Sequence, residues 1–398
     1  MLTSLALIFL VGLALGSLFA RLRLPGLLGM LLTGILLGPS VLNLLDSSLL
    51  GISADLRQLA LIIILTRAGL SLNLDDLRRV GRPAVLLCFV PACFEIAGML
   101  ILAPRLLGLS LLEAAILGAV VAAVSPAVIV PRMLRLMEQG YGTAHSIPQM
   151  LLAGASVDDV FVIVLFSAFT GLAQGGTVNP ATFVQIPVSI LTGAAAGAGV
   201  GLLFGAVYRR LHVRDSVKVI VLLSLAFLAV ALENALKGIF PFSGLIAVMS
   251  CGIAVNRCRP EVAARLSAKF SRLWVAAEIV LFVLVGATVD VRYAAASGAA
   301  ALLVILGALV FRMAGVFCCL LGTGLPRRER LFCMIAYTPK ATVQAAIGGV
   351  PLSMGLACGS VVLTVAVLAI LITAPLGALA VDGSYRRLLD REGDCHAA

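Results

Sequence analysis

Gly154-Ala-Ser-Val-Asp-Asp-Val-Phe-Val-Ile-Val-Leu165 sets two adjacent carboxylates, Asp158 and Asp159, in the middle of an apolar run over 147–173. A helix of that length crosses a hydrocarbon core about 30 Å thick. An acid at its centre costs on the order of 2.5–3.5 kcal/mol on insertion scales, so both must face other charges or water rather than lipid. Adjacent side chains on a helix point roughly 100° apart, which lets both acids border one cavity without gripping one atom. The competing reading puts the pair at a helix end.

Working outward, 61% of the 398 residues are hydrophobic and 12% are charged, about half the charge of a soluble domain. Apolar runs recur along the whole chain and leave no room for a soluble domain. They predict thirteen helices, at 2–20, 25–38, 54–72, 83–104, 110–138, 147–173, 183–208, 217–236, 241–256, 270–289, 297–320, 329–353 and 359–381. The fold class is therefore an all-α polytopic membrane protein. The first run has no basic residue before it and no small-residue cleavage site, so it reads as a spanning helix and not a signal peptide. The net charge of +10 is spread over short loops, which argues against a nucleic-acid partner. Nine scattered cysteines without CxxC or His/Cys ligand spacing read as packing residues, with no cofactor, resident metal or disulfide.

Connections after odd-numbered predicted helices, with the C-terminal tail, carry 22 Lys and Arg residues, against 4 after even-numbered ones. That bias predicts an N-terminus outside and a cytoplasmic C-terminus. Arg67-Ala-Gly-Leu-Ser-Leu-Asn-Leu-Asp75 resembles Val285-Gly-Ala-Thr-Val-Asp290, and 26 residues separate both Gly69 from Glu95 and Gly286 from Arg312. Each half then has a helix interrupted by a hydroxyl-proline pair, Ser125-Pro126 and Thr338-Pro339. The expected organisation is one transmembrane exchanger domain over 1–398: a first six-helix repeat (1–173), a connecting helix (183–208), an inverted second repeat (217–381) and a cytoplasmic tail (382–398). Inverted repeats with broken helices at corresponding positions mark transporters, with the site near the breaks.

Five ionisable residues fall well inside predicted helices: Glu95, Asp158, Asp159, Arg312 and Lys340. Hard oxygen ligands on a partly hydrated site suit a small alkali cation. Pro126 and Pro131 each remove a backbone donor and free carbonyls one turn back, making Ser125 and neighbouring carbonyls candidate cation ligands; a simple proline kink is the alternative. Lys340 beside Pro339 either neutralises the carbonyl end of a half-helix or takes part in exchange. Glu95 and Arg312 read as an ion pair, or as separate side chains snorkelling to their interfaces. Arg67, Glu113, Glu233, Glu278, His145, His212 and His396 are not read as site residues.

Pro25-Gly-Leu-Leu-Gly29, Gly34-Ile-Leu-Leu-Gly-Pro39, Ser125-Pro126, Ser156-Val-Asp-Asp159, Arg312 and Pro339-Lys-Ala-Thr-Val-Gln-Ala-Ala346 together resemble the monovalent cation:proton antiporter superfamily, in its NHA-type sodium/proton branch. The resemblance covers nearly the whole chain. It implies the sodium/proton antiporter fold, with crossed discontinuous helices, in the plasma membrane. It implies a homodimer in which a mobile core, carrying those helices and the paired aspartates, moves against a dimerisation domain. It further implies Asp159 as main ion and proton carrier, Asp158 as its partner, Glu95 and Arg312 as a buried pair, and Lys340 as the basic residue at the second break. Ser125 stands where many members place an acid. The substrates would be H+ and Na+ or Li+, with K+/H+ exchange or a sodium-coupled solute symporter as alternatives. An intramembrane aspartyl protease needs its aspartates on different helices. With five charges summing to one net negative, a proton and a cation would compete for one site in electroneutral exchange.

Overall fold

Hydrocarbon offers no partner for a backbone N–H or C=O, so a spanning chain must satisfy those groups within itself. A computed structural model shows the chain doing so with helices. It describes residues 1–22, 24–72, 81–174, 180–211, 213–236, 239–288 and 291–391. Arg23, Asp75, Arg78, Arg79, His212, Lys237, Asp290 and His396 lie outside the described residues, as does the side chain of Arg292. Asp75 and Asp290 close the two similar words from which the repeat was read.

The chain forms two compact units. The first comprises Met1–Ala54, Asp75–Ala173 and Phe282–Ala398, and the second Asp55–Leu74 and Gln174–Leu281. In chain order the helices are α1 (Leu2–Arg21), α2 (Gly26–Leu37), α3 (Ser47–Gly51), α4 (Ser53–Ser71), α5 (Arg82–Leu87), α6 (Val90–Leu107), α7 (Leu111–Val121), α8 (Pro126–Glu138) and α9 (Ile147–Ala173). They continue as α10 (Pro180–Arg210), α11 (Asp215–Leu236), α12 (Gly244–Cys258), α13 (Pro260–Ala287), α14 (Val291–Cys319), α15 (Arg327–Ala336), α16 (Thr342–Ile347), α17 (Val350–Ser353) and α18 (Gly359–Leu388). Among the described residues, nine helical stretches are long and apolar enough to cross a membrane.

In the first unit, α7 opens on a capping box. Ser110 N–H donates to Glu113 at 2.9 Å and Glu113 N–H to the Ser110 hydroxyl at 3.3 Å, which satisfies two of the donors orphaned at a helix start. After Val121 the helix stops, and the chain is non-helical to Ser125, whose backbone is extended. Pro126 then starts α8 at N1, where its missing N–H costs nothing. The second interruption separates α15 from α16, over Tyr337–Ala341. α6 and α14 pack side by side because glycines admit close contact: a Cβ on Gly98 would lie 2.7 Å from the Phe311 ring, and one on Gly315 2.9 Å from Pro91 Cα. An apolar core of Leu87, Val124, Met133, Leu151, Phe332 and Tyr337 holds α5, α8, α9 and α15 together.

The second unit is built around α10 and α12. Gly193, Gly197 and Gly201 form a stripe on α10 whose missing side chains leave room for the Ser243, Ala247 and Cys251 carbonyls of α12, the small-residue packing that replaces hydrophobic attraction inside a bilayer. Glu233 accepts from Gly244 N–H at 2.8 Å, and Asn256 donates to Leu72 O at 2.9 Å, so each closes a helix end.

Several predicted boundaries differ from the structure. α13 starts at Pro260, ten residues before 270, because Pro at N1 and Glu261 in the first turn favour a helix there. Its extra turns carry Arg265 and Lys269, which bond Asp215 at 2.9 Å and Ser216 at 3.2 Å. α18 runs on to Leu388 rather than ending at 381. The 83–104 span is interrupted at Cys88–Phe89. Pro131, read as a helix break with Pro126, lies inside α8, which continues through it. The helix forgoes one bond there while Arg132 donates to the Val128 carbonyl at 2.9 Å.

Candidate functional site

The two interruptions cross. Ser125 N–H donates to Pro339 O at 2.8 Å, so each interrupted segment supplies the other with a backbone partner. Around this crossing α6, α9, α14 and the Tyr337–Ala341 segment deliver all five intramembrane charges. Glu95, Asp158, Arg312 and Lys340 are each 0% exposed, and Asp159 is partly exposed.

Arg312 is the hub. Its Nη1 donates to Glu95 Oε2 at 2.9 Å and to the Ala122 carbonyl, Nη2 to Asp158 Oδ2 at 2.7 Å, and Nε to the Tyr337 carbonyl at 2.7 Å. The guanidinium also lies over the Tyr337 ring, 5.2 Å from its centroid. Burying an ion is repaid only when its remaining hydrogen-bonding groups are filled as well. A planar fork of five N–H donors can do this, and a lysine ammonium cannot. Lys340 Nζ meets Glu95 Oε2 at 2.5 Å, and its backbone N–H donates to Thr373 Oγ1 at 2.9 Å. Asp158 Oδ2 also accepts from Val124 N–H at 2.8 Å.

Asp159 differs from the other four. No Lys, Arg or His nitrogen among the described residues lies within ion-pair distance of it. Its Oδ1 is buried without a hydrogen-bond partner, as are Ser125 Oγ and Asp158 Oδ1. Three of the carbonyls before Ser125 are already engaged. Ala122 O accepts from Arg312, while Val121 O and Ala123 O accept from Gln344 Nε2 at 3.1 and 2.9 Å. Three side-chain oxygens at the crossing, Asp158 Oδ1, Asp159 Oδ1 and Ser125 Oγ, have no hydrogen-bond partner among the described residues.

Gln344, Tyr337 and Thr373 join the site without being candidates from the sequence. The signal for Gln344 and Thr373 was a polar side chain inside an apolar run. The carbonyls of Val121–Ala123 carry no sequence signal at all. In the second unit, Glu278 accepts a hydrogen bond from Trp274 and lies near the charge of Arg67. His145 sits 2.8 Å from Glu329, at the start of α15.

The family described as sodium/hydrogen exchanger, transmembrane, matches residues 5–382. The chain belongs to the sodium/hydrogen exchanger family. Among its relatives, sodium/hydrogen exchanger 9B2 of Mus musculus is 34% identical over 383 residues, covering 92% of this chain and 69% of that protein. Sodium/hydrogen exchanger 9B1 of Homo sapiens is 31% identical over 356 residues, covering 86% and 68%. The fold matches that of the sodium proton antiporter MjNhaP1 from Methanocaldococcus jannaschii with a TM-score of 0.86 at 20% identity, over 97% of this chain and 98% of that one. This exchanger is thus an all-helical integral membrane protein with the antiporter fold.

Proposed function

We propose that a proton and an alkali cation compete for Asp159 of this exchanger, and that each carries the core across the membrane in turn. Cation/proton antiport is the activity of the family to which the chain belongs. The observation that supports the site is the charge pairing. Glu95 and Asp158 are offset by Arg312 and Lys340, which leaves Asp159 as the one unbalanced charge of the five. One proton or one Na+ or Li+ then neutralises the core. An empty core stays charged and is costly to move through a low-dielectric barrier. Exchange is one-for-one and electroneutral on this reading, because Arg312 cannot release a proton to change the count.

The cation's ligands are Asp159, Asp158 through its free Oδ1, and the Ser125 hydroxyl, all hard oxygens suited to a small alkali ion. Glu95, Arg312 and Lys340 balance charge, and Pro126 and Pro339 hold the helices open. The wider reading is a homodimer in the plasma membrane, N-terminus outside and C-terminus cytoplasmic, with inverted repeats over 1–173 and 217–381. The first unit, which holds the crossing and both aspartates, is its moving part, and the second its scaffold. The decisive experiment is proton flux into proteoliposomes driven by a Na+ or Li+ gradient. Asp159→Asn should fall to the level of empty vesicles, and undiminished exchange in that variant overturns the reading.

A further inference from the structure

Gln344 stands on α16, in the second broken helix, and is buried to 1% exposure. Its side-chain amide faces Val121 O at 3.1 Å and Ala123 O at 2.9 Å, both on the first broken helix. Since both partners are carbonyls, the atom facing them must be the NH2 group, which fixes the amide's orientation. Val121 and Ala122 end α7, and the last carbonyls of a helix have no partner within it and carry the negative end of its dipole. Gln344 closes that of Val121 and, one residue beyond the cap, that of Ala123, and Arg312 closes the one between. The next two residues are those the site depends on: Val124 N–H bonds Asp158, and Ser125 holds Pro339. A lysine or arginine at 344 could also close those carbonyls, but its charge would cancel the single negative charge left on Asp159.

We propose that Gln344 is a positioning residue for exchange: it closes the carbonyl end of α7 without adding charge, and so fixes Val124 and Ser125 where the cation meets side-chain oxygens. The inference rests on Asp159 as the exchange group. It adds that the two broken helices are clamped to each other by a neutral side chain, and that the cation's affinity depends on this clamp.

The test is cation-driven proton flux in proteoliposomes for Gln344→Met and Gln344→Glu against the wild type, over a series of Na+ and Li+ concentrations and pH values. Gln344→Met keeps the bulk and loses both donors. Its apparent KM for Na+ should rise about tenfold, with a smaller change in kcat and an altered Li+ to Na+ KM ratio. A purely structural role would reduce the amount of active protein and leave KM and that ratio unchanged. Gln344→Glu can replace one donor only while its acid is protonated, so its exchange should fail on the alkaline side of the profile where the wild type still works. If Gln344→Met does not fold, the pH profile of Gln344→Glu decides alone. KM values within twofold of wild type, or a Gln344→Glu profile superimposable on the wild-type one, overturn the inference. Asp159→Asn in the same vesicles tests the exchange reading separately.

Discussion

At the scale of single residues, the site is a problem of filling every donor and acceptor around buried charge. Arg312 meets it with four contacts on four other segments of the chain. Arg312→Lys keeps the charge but loses the fork, so Asp158, Glu95 and two carbonyls cannot all be served at once. We expect it to lower stability by about 2–3 kcal/mol, read as a lower thermal midpoint in detergent, and to reduce exchange sharply. A midpoint equal to the wild type's would mean that the contacts are dispensable. The sequence names all five charges, because a charged side chain in an apolar run is visible without a structure. It does not name their partners. Whether Lys340 neutralises a helix end or takes part in exchange is open in the sequence, and its contact with Glu95 is not signalled there, since residues 245 apart in the chain carry no local sign of contact.

At the scale of helices, the five charges meet because two helices are interrupted and a third passes close by. Both stops are legible as a hydroxyl-proline pair with the proline unable to continue the ladder. Pro131 shows the limit of that rule, since the same residue type sits inside α8 without ending it. The early start of α13 was illegible for a different reason. Its added turns are charged, so a hydropathy reading stops while helix propensity continues. The approach of α9 to the second break turns on Gly154, where a Cβ would collide with the Tyr337 hydroxyl. Gly154→Ala should therefore push α9, with Asp158 and Asp159, away from the crossing. We expect a stability loss of about 1–3 kcal/mol from overpacking and an exchange rate lower by about tenfold, because a misplacement near 1 Å is enough to spoil a constellation of this kind. Wild-type kinetics in that variant would show that the two helices are not coupled in this way.

At the scale of the whole molecule, the proposed cycle depends on the charge count. Imposing a membrane potential on wild-type proteoliposomes should leave cation-driven exchange unchanged in rate and sign, and a voltage-dependent current would contradict one-for-one exchange. Lys340→Gln adds one net negative charge, so single occupancy leaves the core charged. We expect exchange to fall at least about tenfold and to become sensitive to voltage. The sequence by itself determined the solvent, since 61% hydrophobic residues in recurrent runs can only be placed in a bilayer. It also determined the helical class, the positions of the two breaks and the identities of the five charges, all of which are local properties of the chain. Only the tertiary structure decided which of the five charges has no ion-pair partner among the described residues. Asp158 and Asp159 are chemically identical neighbours, and what separates them is that α14 brings Arg312 to one and not to the other. Pairing depends on distances between helices far apart in sequence, and hydrophobic pattern sets which face of a helix is buried but not what it meets there.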